Sequence, residues 1–228
     1  MKTLSLLAVA LSAFSGFATG QALITQTKTF SGLPDFSAPL LFNQYSGNPA
    51  DLVNVNISYS ITIRDGQFIV DNDSPTPVIT TATFGASLST SSADVILVDN
   101  AFQPILQGVS ATNSQLFLLD ADNGDGVNNY DSSGPDGGIL VGTTKTVTGN
   151  GNVNSLGYGG YLGAGQFTIN ALTNQVGSLS YNSGIETATT PVNVSGFIAV
   201  TYSVVPEPSS TALLGLAAIG LAFRRRRA

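Results

Sequence analysis

The clearest pattern in the chain is the strict alternation from Val53 to Ile63. Valine, isoleucine and tyrosine occupy every second position there, and asparagine, serine and threonine occupy the positions between them. A period of two places the two sets on opposite faces of a strand, one packed on a core and one in water. Asp65-Gly66 follows with the residue types of a tight turn. The pattern therefore predicts a β-hairpin with Gln67–Val70 as its returning strand.

Other stretches carry the same β signal less clearly. Val78 to Leu88 alternates, and so does Val192 to Val204, with Gly196 as the position of a bulge. Gln115 to Leu119 is apolar without alternation, which predicts a buried strand. Further strands are predicted at Leu23–Phe30, Ala93–Val98, Thr144–Thr148, Gln166–Leu172 and Ser178–Tyr181. Between Gln21 and Val205, no stretch keeps a helical period over three turns.

The first twenty residues have the features of a secretory signal peptide. Lys2 supplies one positive charge, and Leu4 to Phe17 contains only small or apolar residues. Ala18-Thr19-Gly20 fits the small-x-small cleavage pattern, and Gly20-Gln21-Ala22 is a second choice. We therefore predict that residues 1–20 are a signal peptide and that the following residues are exported.

The C-terminal segment 206–228 has three parts in a fixed order. Pro206, Glu207 and Pro208 stop any preceding strand, because proline fixes φ and restricts the residue before it. The apolar run from Thr211 to Phe223 predicts a short transmembrane helix. At roughly 20 Å it is shorter than a bilayer core of about 30 Å. A cluster of arginines then keeps this end in the cytoplasm, and these membrane-stop residues are Arg224, Arg225, Arg226 and Arg227.

This tripeptide, short apolar helix and arginine cluster resemble the PEP-CTERM sorting signal of Gram-negative bacteria. The resemblance implies that an exosortase-type enzyme cuts near Pro206-Glu207-Pro208. The domain would then pass from a transient stay in the inner membrane to the cell surface or the extracellular matrix, as in a biofilm. The alternative is a plain C-terminal membrane anchor in which the tripeptide is accidental.

Residues 21–205 are the size of one extracytoplasmic domain. Short strands separated by glycine, asparagine and proline predict an all-β fold, an antiparallel β-sandwich. It is flanked by an N-terminal signal helix and the C-terminal short transmembrane helix. The Leu33-Pro34-Asp35-Phe36 segment, followed by the Val53–Ile63 strand, resembles choice-of-anchor E domains. That resemblance implies no known activity.

Composition narrows the function further. The domain holds three basic residues, Lys28, Arg64 and Lys145, against thirteen acidic ones, a formal charge of −10. This charge excludes nucleic acid and anionic membrane surfaces as partners and favours cations. The alternative is that the charge only keeps an exported protein soluble. Histidine, cysteine and tryptophan are absent, which excludes disulfides and histidine-based catalytic triads.

The loop from Asp120 to Asp131 is the candidate metal site. Its carboxylates are spaced as in calcium-binding loops, and the candidate Ca²⁺ ligands are Asp120, Asp122, Asp125 and Asp131. One extra residue before Asp125 puts the turn glycine out of register, and no glutamate closes the loop. The alternative is a solvated hairpin loop, since Asp, Asn and Gly are turn formers. Asp71 and Asp73 form a second, smaller acidic loop.

Tyr158 and Tyr161, among glycines, suggest a flat sugar-binding surface, or else tyrosines that cap the core. No pair of acids is marked out for catalysis. We therefore predict a non-enzymatic, exported, exosortase-processed cell-surface or matrix protein with a structural or adhesive role. The alternative function is a calcium-dependent module that binds polysaccharide or another cell.

Overall fold

The computed structural model describes residues 20–126 and 128–205. The predicted transmembrane helix, the sorting residues and nearly all of the predicted signal peptide lie outside these residues. The described strands are β1 (Ala22–Gly32), β2 (Phe36–Asn43), β3 (Leu52–Arg64), β4 (Gln67–Asn72), β5 (Val78–Ser91), β6 (Val109–Leu119), β7 (Gly137–Val141), β8 (Lys145–Asn152), β9 (Gln166–Leu179), β10 (Ile185–Thr190) and β11 (Asn193–Val204).

Neighbouring strands are antiparallel throughout the described sheets, which confirms the predicted all-β class and antiparallel arrangement. One layer contains the sheet β1-β11-β3-β8 and the sheet β10-β4-β7. The other layer is the sheet β2-β9-β5-β6. Two short 3-10 helices, Pro49–Asp51 and Ser155–Tyr161, interrupt the strands. Among the described residues, none forms a helix long and apolar enough to cross a membrane.

The predicted hairpin at Asp65-Gly66 is wrong. β3 lies between β11 and β8, and β4 lies between β10 and β7, so β3 and β4 are not paired. The two residues do take positive φ, 59° and 75°, as the turn prediction required. They kink one extended chain instead of reversing it, because β11 and β8 already occupy both edges of β3.

The kink leaves the strand register unchanged. Arg64 lies opposite Asn193, and three residues further along Gln67 lies opposite Thr190. The same continuity holds where β8 and β7 pair with β3 and β4. The combined strands β3–β4, β10–β11 and β7–β8 are therefore one three-stranded structure, broken at a single level. We call it the long ladder.

Close contacts hold the break in the long ladder together. The Gly142 N–H donates to the Gly66 carbonyl at 3.0 Å. A Cβ on Gly66 would lie 2.8 Å from both the Thr190 carbonyl oxygen and the Val192 nitrogen. Only glycine combines the positive φ with so close an approach of neighbouring backbone. The predicted turn residues thus have a structural reason, although not the one expected.

The hydrophobic core lies between the two layers. The rings of Phe68 on β4 and Phe84 on β5 are 5.8 Å apart, and both side chains are buried. Tyr202 on β11 is fully buried, and its hydroxyl donates to the Asn43 carbonyl at the end of β2, at 2.9 Å. Aromatic contacts and this hydrogen bond therefore fix how the two layers sit on one another.

The alternation of β3 is confirmed in part: Tyr59, expected on the core face, is only half-buried, and Ser60, expected in water, is buried. Val55, Ile57, Ile61 and Ile63 are buried as predicted, but Val53 is 53% exposed and Leu52 is buried instead. The register between β3 and β11 shifts between Ser203 and Val204, so one extra residue of β3 faces the partner strand. Such a bulge turns the following side chains to the opposite face.

Four other strand predictions need correction. Gly196 is not a bulge, because it pairs in regular register with Phe30 and Ile61. Gln166–Leu172 and Ser178–Tyr181 are not two strands, because β9 runs unbroken from Gln166 to Leu179. Residues 93–98 form a loop with an isolated bridge from Val98 to Pro104, not a strand. β6 is a strand, but it is not buried on both faces. Leu116 and Leu118 are 59% and 70% exposed, while Phe117 between them is buried. β6 is the edge strand of the sheet β2-β9-β5-β6, and one face of this strand is in solvent even though its sequence does not alternate.

Candidate cation site

Acidic side chains converge at the end of the long ladder where β4 ends and β10 begins. The end of β4 with the loop 73–77 after it, and the loop 120–136 before β7, are distant in sequence, and the fold places them side by side. The acidic cluster, as we use the term, consists of Asp71, Asp73, Asp122, Asp125, Asp136 and Glu186. Glu186 reaches it from β10, where it lies directly opposite Asp71.

Asn72 ties the two loops together. Its side chain is fully buried and donates to the Asp120 carbonyl at 2.6 Å and to the Thr76 carbonyl at 3.0 Å. The backbone N–H of Asn72 donates to the Asp136 carbonyl at 3.1 Å. A further backbone bond joins the Asp122 N–H to the Ser74 carbonyl at 2.9 Å. One asparagine at the end of β4 therefore sets where both acidic loops sit.

Two groups of three carboxylates within the cluster have the spacing of metal ligands. One oxygen each from Asp71, Asp73 and Asp125 lies within 4.8 Å of the others. The same holds for Asp122, Asp125 and Asp136, so Asp125 belongs to both groups. Ca²⁺ binds oxygens at 2.3–2.6 Å, so two of its ligands stand at most about 5 Å apart. Both groups meet that condition.

Hydrogen bonds hold one oxygen of several of these carboxylates in place. The donor and acceptor pairs are Gly124 N to Asp122 Oδ1 at 2.7 Å, Asn129 Nδ2 to Asp125 Oδ2 at 2.9 Å, and Asn128 N to Glu186 Oε2 at 2.6 Å. Each of these acids has a second oxygen beyond the one so held. Asp136 differs, because Asn123 donates to both of its oxygens, at 2.8 and 3.1 Å.

Asp71 is the most buried acid of the cluster. Its side chain is 1% exposed, and Oδ2 accepts the Asp131 N–H at 2.9 Å. Oδ1 is buried and has no hydrogen-bond partner. Burial raises the pKa of Asp71, the hydrogen bond from Asp131 lowers it, and the charges of Asp125 and Asp136 raise it again. A buried carboxylate oxygen without a partner is costly, so this position needs a further ligand.

The pKa of Asp73 is raised as well. Its pKa is raised to about 6, chiefly by burial and next by Glu186, through its charge and through a side-chain hydrogen bond. The charges of Asp71 and Asp122 make smaller contributions in the same direction. The charged groups that shift the pKa values of Asp71 and Asp73 are all carboxylates. The site is therefore one of mutual repulsion, which a cation would relieve.

Of the four Ca²⁺ ligands predicted from the sequence, the structure places two in the acidic cluster and two outside it. Asp122 and Asp125 lie in the cluster. Asp120 is exposed, and its backbone is what the fold uses. Asp131 turns to its own loop, where Oδ1 accepts from the Ser133 N–H and hydroxyl at 2.8 and 2.7 Å, and these bonds lower its pKa. Neither Asp120 nor Asp131 belongs to a metal-ligand group among the described residues.

Sequence reasoning missed two members of the cluster. Asp136 follows Asp131 closely in the same loop, so extending the acidic loop by five residues would have included it. Glu186 gives no local signal, because its place depends on β10 pairing with β4. Asp71 and Asp73 were visible as acidic residues, but only the fold joins them to the second loop.

The predicted tyrosine surface is not formed. Tyr161 is fully buried, its ring meets Phe167 edge to face at 5.1 Å, and its hydroxyl donates to the Ile96 carbonyl at 2.8 Å. Burial raises the pKa of this hydroxyl. Tyr158 is half-buried and points its hydroxyl at Val53 and Asn54. The alternative interpretation, in which these tyrosines cap the core, is the one that the contacts support.

The predicted sorting tripeptide follows the last strand of the domain almost directly. Val204, the last residue of β11, is 5% exposed, and β11 lies between β1 and β3. The Val205 N–H still donates to the Asp51 carbonyl at 2.9 Å. Pro206, the first residue of the predicted sorting tripeptide, follows directly.

Comparison with solved structures finds distant likenesses. A structure of infectious bursal disease virus Gt strain is 10% identical with a TM-score of 0.14. The likeness covers 80% of this chain and 43% of that one, so this chain spans less than half its length. A structure of Desmodium yellow mottle tymovirus is 8% identical, with a TM-score of 0.15, and covers 84% of this chain and 92% of its own. At these TM-scores neither likeness bears on fold or function.

A search of curated proteins finds no match to this chain. The resemblance to choice-of-anchor E domains stays a prediction. Among protein families, the match is to the PEP-CTERM protein-sorting motif, at residues 204–227. It includes the predicted tripeptide and the arginine cluster, and it confirms the predicted sorting signal: the C-terminal end of this chain is a PEP-CTERM sorting motif.

Proposed function

We propose that the protein is an exosortase substrate that is exported, held briefly in the inner membrane, and delivered to the cell surface or the extracellular matrix. The observation that carries this proposal is the PEP-CTERM motif at residues 204–227. The signal-peptide pattern of residues 1–20 supports the same route from the other end of the chain. The acidic β-sandwich domain between them is the part that is delivered.

At its destination the domain has a structural or adhesive role and no catalytic one. Its buried aromatic side chains fix the core, and its carboxylates are gathered by loops whose backbone is hydrogen-bonded. The sequence has no histidine or cysteine to act as base or nucleophile. Long paired strands around one core suit a protein that persists outside the cell.

The sorting route is tested by changing the tripeptide. Replacing Pro206, Glu207 and Pro208 by alanine should leave uncut precursor in membrane fractions, because the processing enzyme loses its recognition residues. Intact mass of the protein from cell surface, medium and membranes would show it. Pro104→Ala, which removes an exposed proline far from the motif, is the matched control and should be processed normally. Normal processing of the triple variant would refute the exosortase route and favour a plain anchor.

A second candidate function is a calcium-dependent module that binds polysaccharide or another cell. The acidic cluster favours it, because two loops and a strand bring six carboxylates to one end of the domain. Adhesion of the purified protein to matrix polysaccharide would be measured with CaCl₂ and with EGTA. Binding that needs calcium supports this candidate. Equal binding in both buffers supports a calcium-independent adhesive role, and no binding in either buffer leaves the structural role.

A further inference from the structure

We propose that Asp71, Asp73 and Asp125 hold one Ca²⁺ ion between the two acidic loops. This site is different from the 120–131 loop site that the sequence suggests, since two of its three ligands come from the β4 side. It does not depend on the sorting route, because a folded domain has the same cluster whether or not its C-terminal segment is cut.

The spacing of the three carboxylates is the first argument. Their oxygens lie within 4.8 Å of one another, which is the separation found around one bound Ca²⁺. Oxygen ligands alone, without nitrogen or sulfur, suit a hard cation. Ca²⁺ tolerates irregular sets of six to eight oxygens, whereas Mg²⁺ needs a near-octahedral set. Ligands from two separate loops and a strand favour Ca²⁺.

The unpartnered oxygen of Asp71 is the second, independent argument. Asp71 is 1% exposed, and its Oδ1 has no hydrogen-bond donor. Oδ1 of Asp51 and Nε2 of Gln175 also lack partners among the described residues, but neither residue belongs to a group of acids. A cation bound beside Asp73 and Asp125 would satisfy Asp71 Oδ1, which has no hydrogen-bond partner among the described residues.

The charge balance points to the same place. Every charged group that acts on Asp71 and Asp73 is another carboxylate. Glu186 is the strongest such group for Asp73, so it can add a fourth carboxylate beside the ion. Without a cation these like charges repel one another, and solvent screens the buried Asp71 less than the exposed Asp125. A divalent ion turns that repulsion into attraction.

Hydrogen bonding separates this group from its neighbour. In the group Asp122, Asp125 and Asp136, both oxygens of Asp136 already accept hydrogen bonds from Asn123. Asp136 thus serves to fix the loop. We therefore assign a single ion to Asp71, Asp73 and Asp125. The ion would bind the end of β4 and the 73–77 loop to the 120–136 loop at a point where Asn72 already joins them.

The test uses the mature protein, freed of metal by EGTA and titrated with CaCl₂, with MgCl₂ as the competing cation. Calorimetry should give one bound Ca²⁺ per chain, at the sub-millimolar to millimolar affinity of extracellular sites. At 10 mM CaCl₂ the melting temperature should rise by about 3–10 °C, because the ion binds only the folded state. MgCl₂ should give a much smaller shift.

Two matched variants locate the ion. Asp71→Asn should weaken Ca²⁺ binding at least tenfold, while circular dichroism shows that the variant is folded. Asp120→Asn, in the same acidic loop but outside the ligand group, should bind as the parent protein does. No calcium-dependent shift in the parent protein would overturn the proposal. Equal losses in Asp120→Asn and Asp71→Asn would overturn it too and return the site to the 120–131 loop.

Discussion

The two ends of the long ladder are built from the same strands, yet they differ in what they require. Where β11 ends, Val204 is buried between strand partners and the Val205 N–H is bonded within the domain. Where β10 begins, six carboxylates meet and one buried oxygen has no donor. At about 3.3 Å per residue, Ile185 and Val204 lie up to about 60 Å apart. The chain continues into the sorting motif at the first end, and the second end has the negative charge and the free oxygen that a cation would bind.

This contrast shows that strand pairing alone does not complete a site. The register runs unbroken from one end of the ladder to the other. The strands are paired with their neighbours at both ends of the ladder. The loops after β4 and β6, however, bring more carboxylate oxygens to the cluster than hydrogen-bond donors. The domain can therefore be folded throughout and still be incomplete at one end. The predictions below test that difference, from the largest expected effect to the smallest.

Breaking the ladder at its kink should have the largest effect. Gly66→Ala places a Cβ 2.8 Å from the backbone of Thr190 and Val192 at a φ of 75°, and we expect a loss of about 3 kcal/mol in the free energy of unfolding. Gly108→Ala is the matched control, with a φ of 63° and open space around the added atom. It should cost only about 1 kcal/mol. Urea unfolding of both variants measures the difference, and equal losses would mean that the kink does not join the two halves tightly.

Removing the tie between the acidic loops should have the next largest effect. Asn72→Ala deletes two buried side-chain hydrogen bonds to carbonyl groups, and we expect a loss of about 2–3 kcal/mol. At the opposite end, Asn54→Ala deletes an exposed hydrogen bond to Asn152 and a longer one, 3.3 Å, from the Tyr158 hydroxyl, and it should cost at most about 1 kcal/mol. Thermal unfolding of both variants in CaCl₂ is the measurement. A similar loss at both ends would contradict the idea that Asn72 organises the site.

Relieving the repulsion in the cluster should have a smaller effect of opposite sign. In EGTA, Asp73→Asn should raise the free energy of unfolding by about 1 kcal/mol, after allowance for screening by solvent, because the carboxylate with a pKa of about 6 is replaced by a neutral amide. In CaCl₂ the same variant should be less stable than the parent protein, because it lacks a ligand. Melting curves in the two buffers give both signs. A variant that is less stable in EGTA as well would show that the carboxylates do not repel one another.

The smallest effect should come from the bulge near the sorting motif. Val53→Thr changes a side chain that is 53% exposed and should alter stability by less than about 0.5 kcal/mol. Val55→Thr, two residues further along and fully buried, should cost about 2 kcal/mol, because a hydroxyl replaces a methyl group in the core. The simple alternation of the sequence predicts equal costs. Chemical denaturation of the pair therefore decides whether the register shift exists in solution.

Local features of the sequence predicted the strands well, because a period of two depends only on neighbouring residues. Val55, Ile57, Ile61 and Ile63 follow this rule, and so do the apolar positions predicted to face the core in the strand after Val192. The partner of each strand could not be read in the same way. Asp65-Gly66 has the composition of a hairpin turn, and only the return of β11, more than a hundred residues later, makes it a kink. The predicted burial of Val53 was wrong for a related reason, because a bulge depends on how two strands pair and cannot be read from one of them.

The candidate site divides along the same line. Asp122 and Asp125 were identified because they share a loop. Asp71 and Asp73 were seen as a separate loop, and their union with Asp125 depends on hydrogen bonds that Asn72 makes across 48 residues of sequence. Glu186 enters through the pairing of β10 with β4. The PEP-CTERM motif, by contrast, is contiguous, so its recognition needed no fold at all.

Val205 is hydrogen-bonded within the domain and already belongs to the sorting motif, and this overlap has a mechanical consequence. A tether fixed to this point would pull along the axis of β11, which is bonded over its whole length to β1 on one side and β3 on the other. Force applied in that direction shears many backbone hydrogen bonds at once instead of unzipping them one by one. A domain attached in this way would resist flow and drag at the very place where it is fastened.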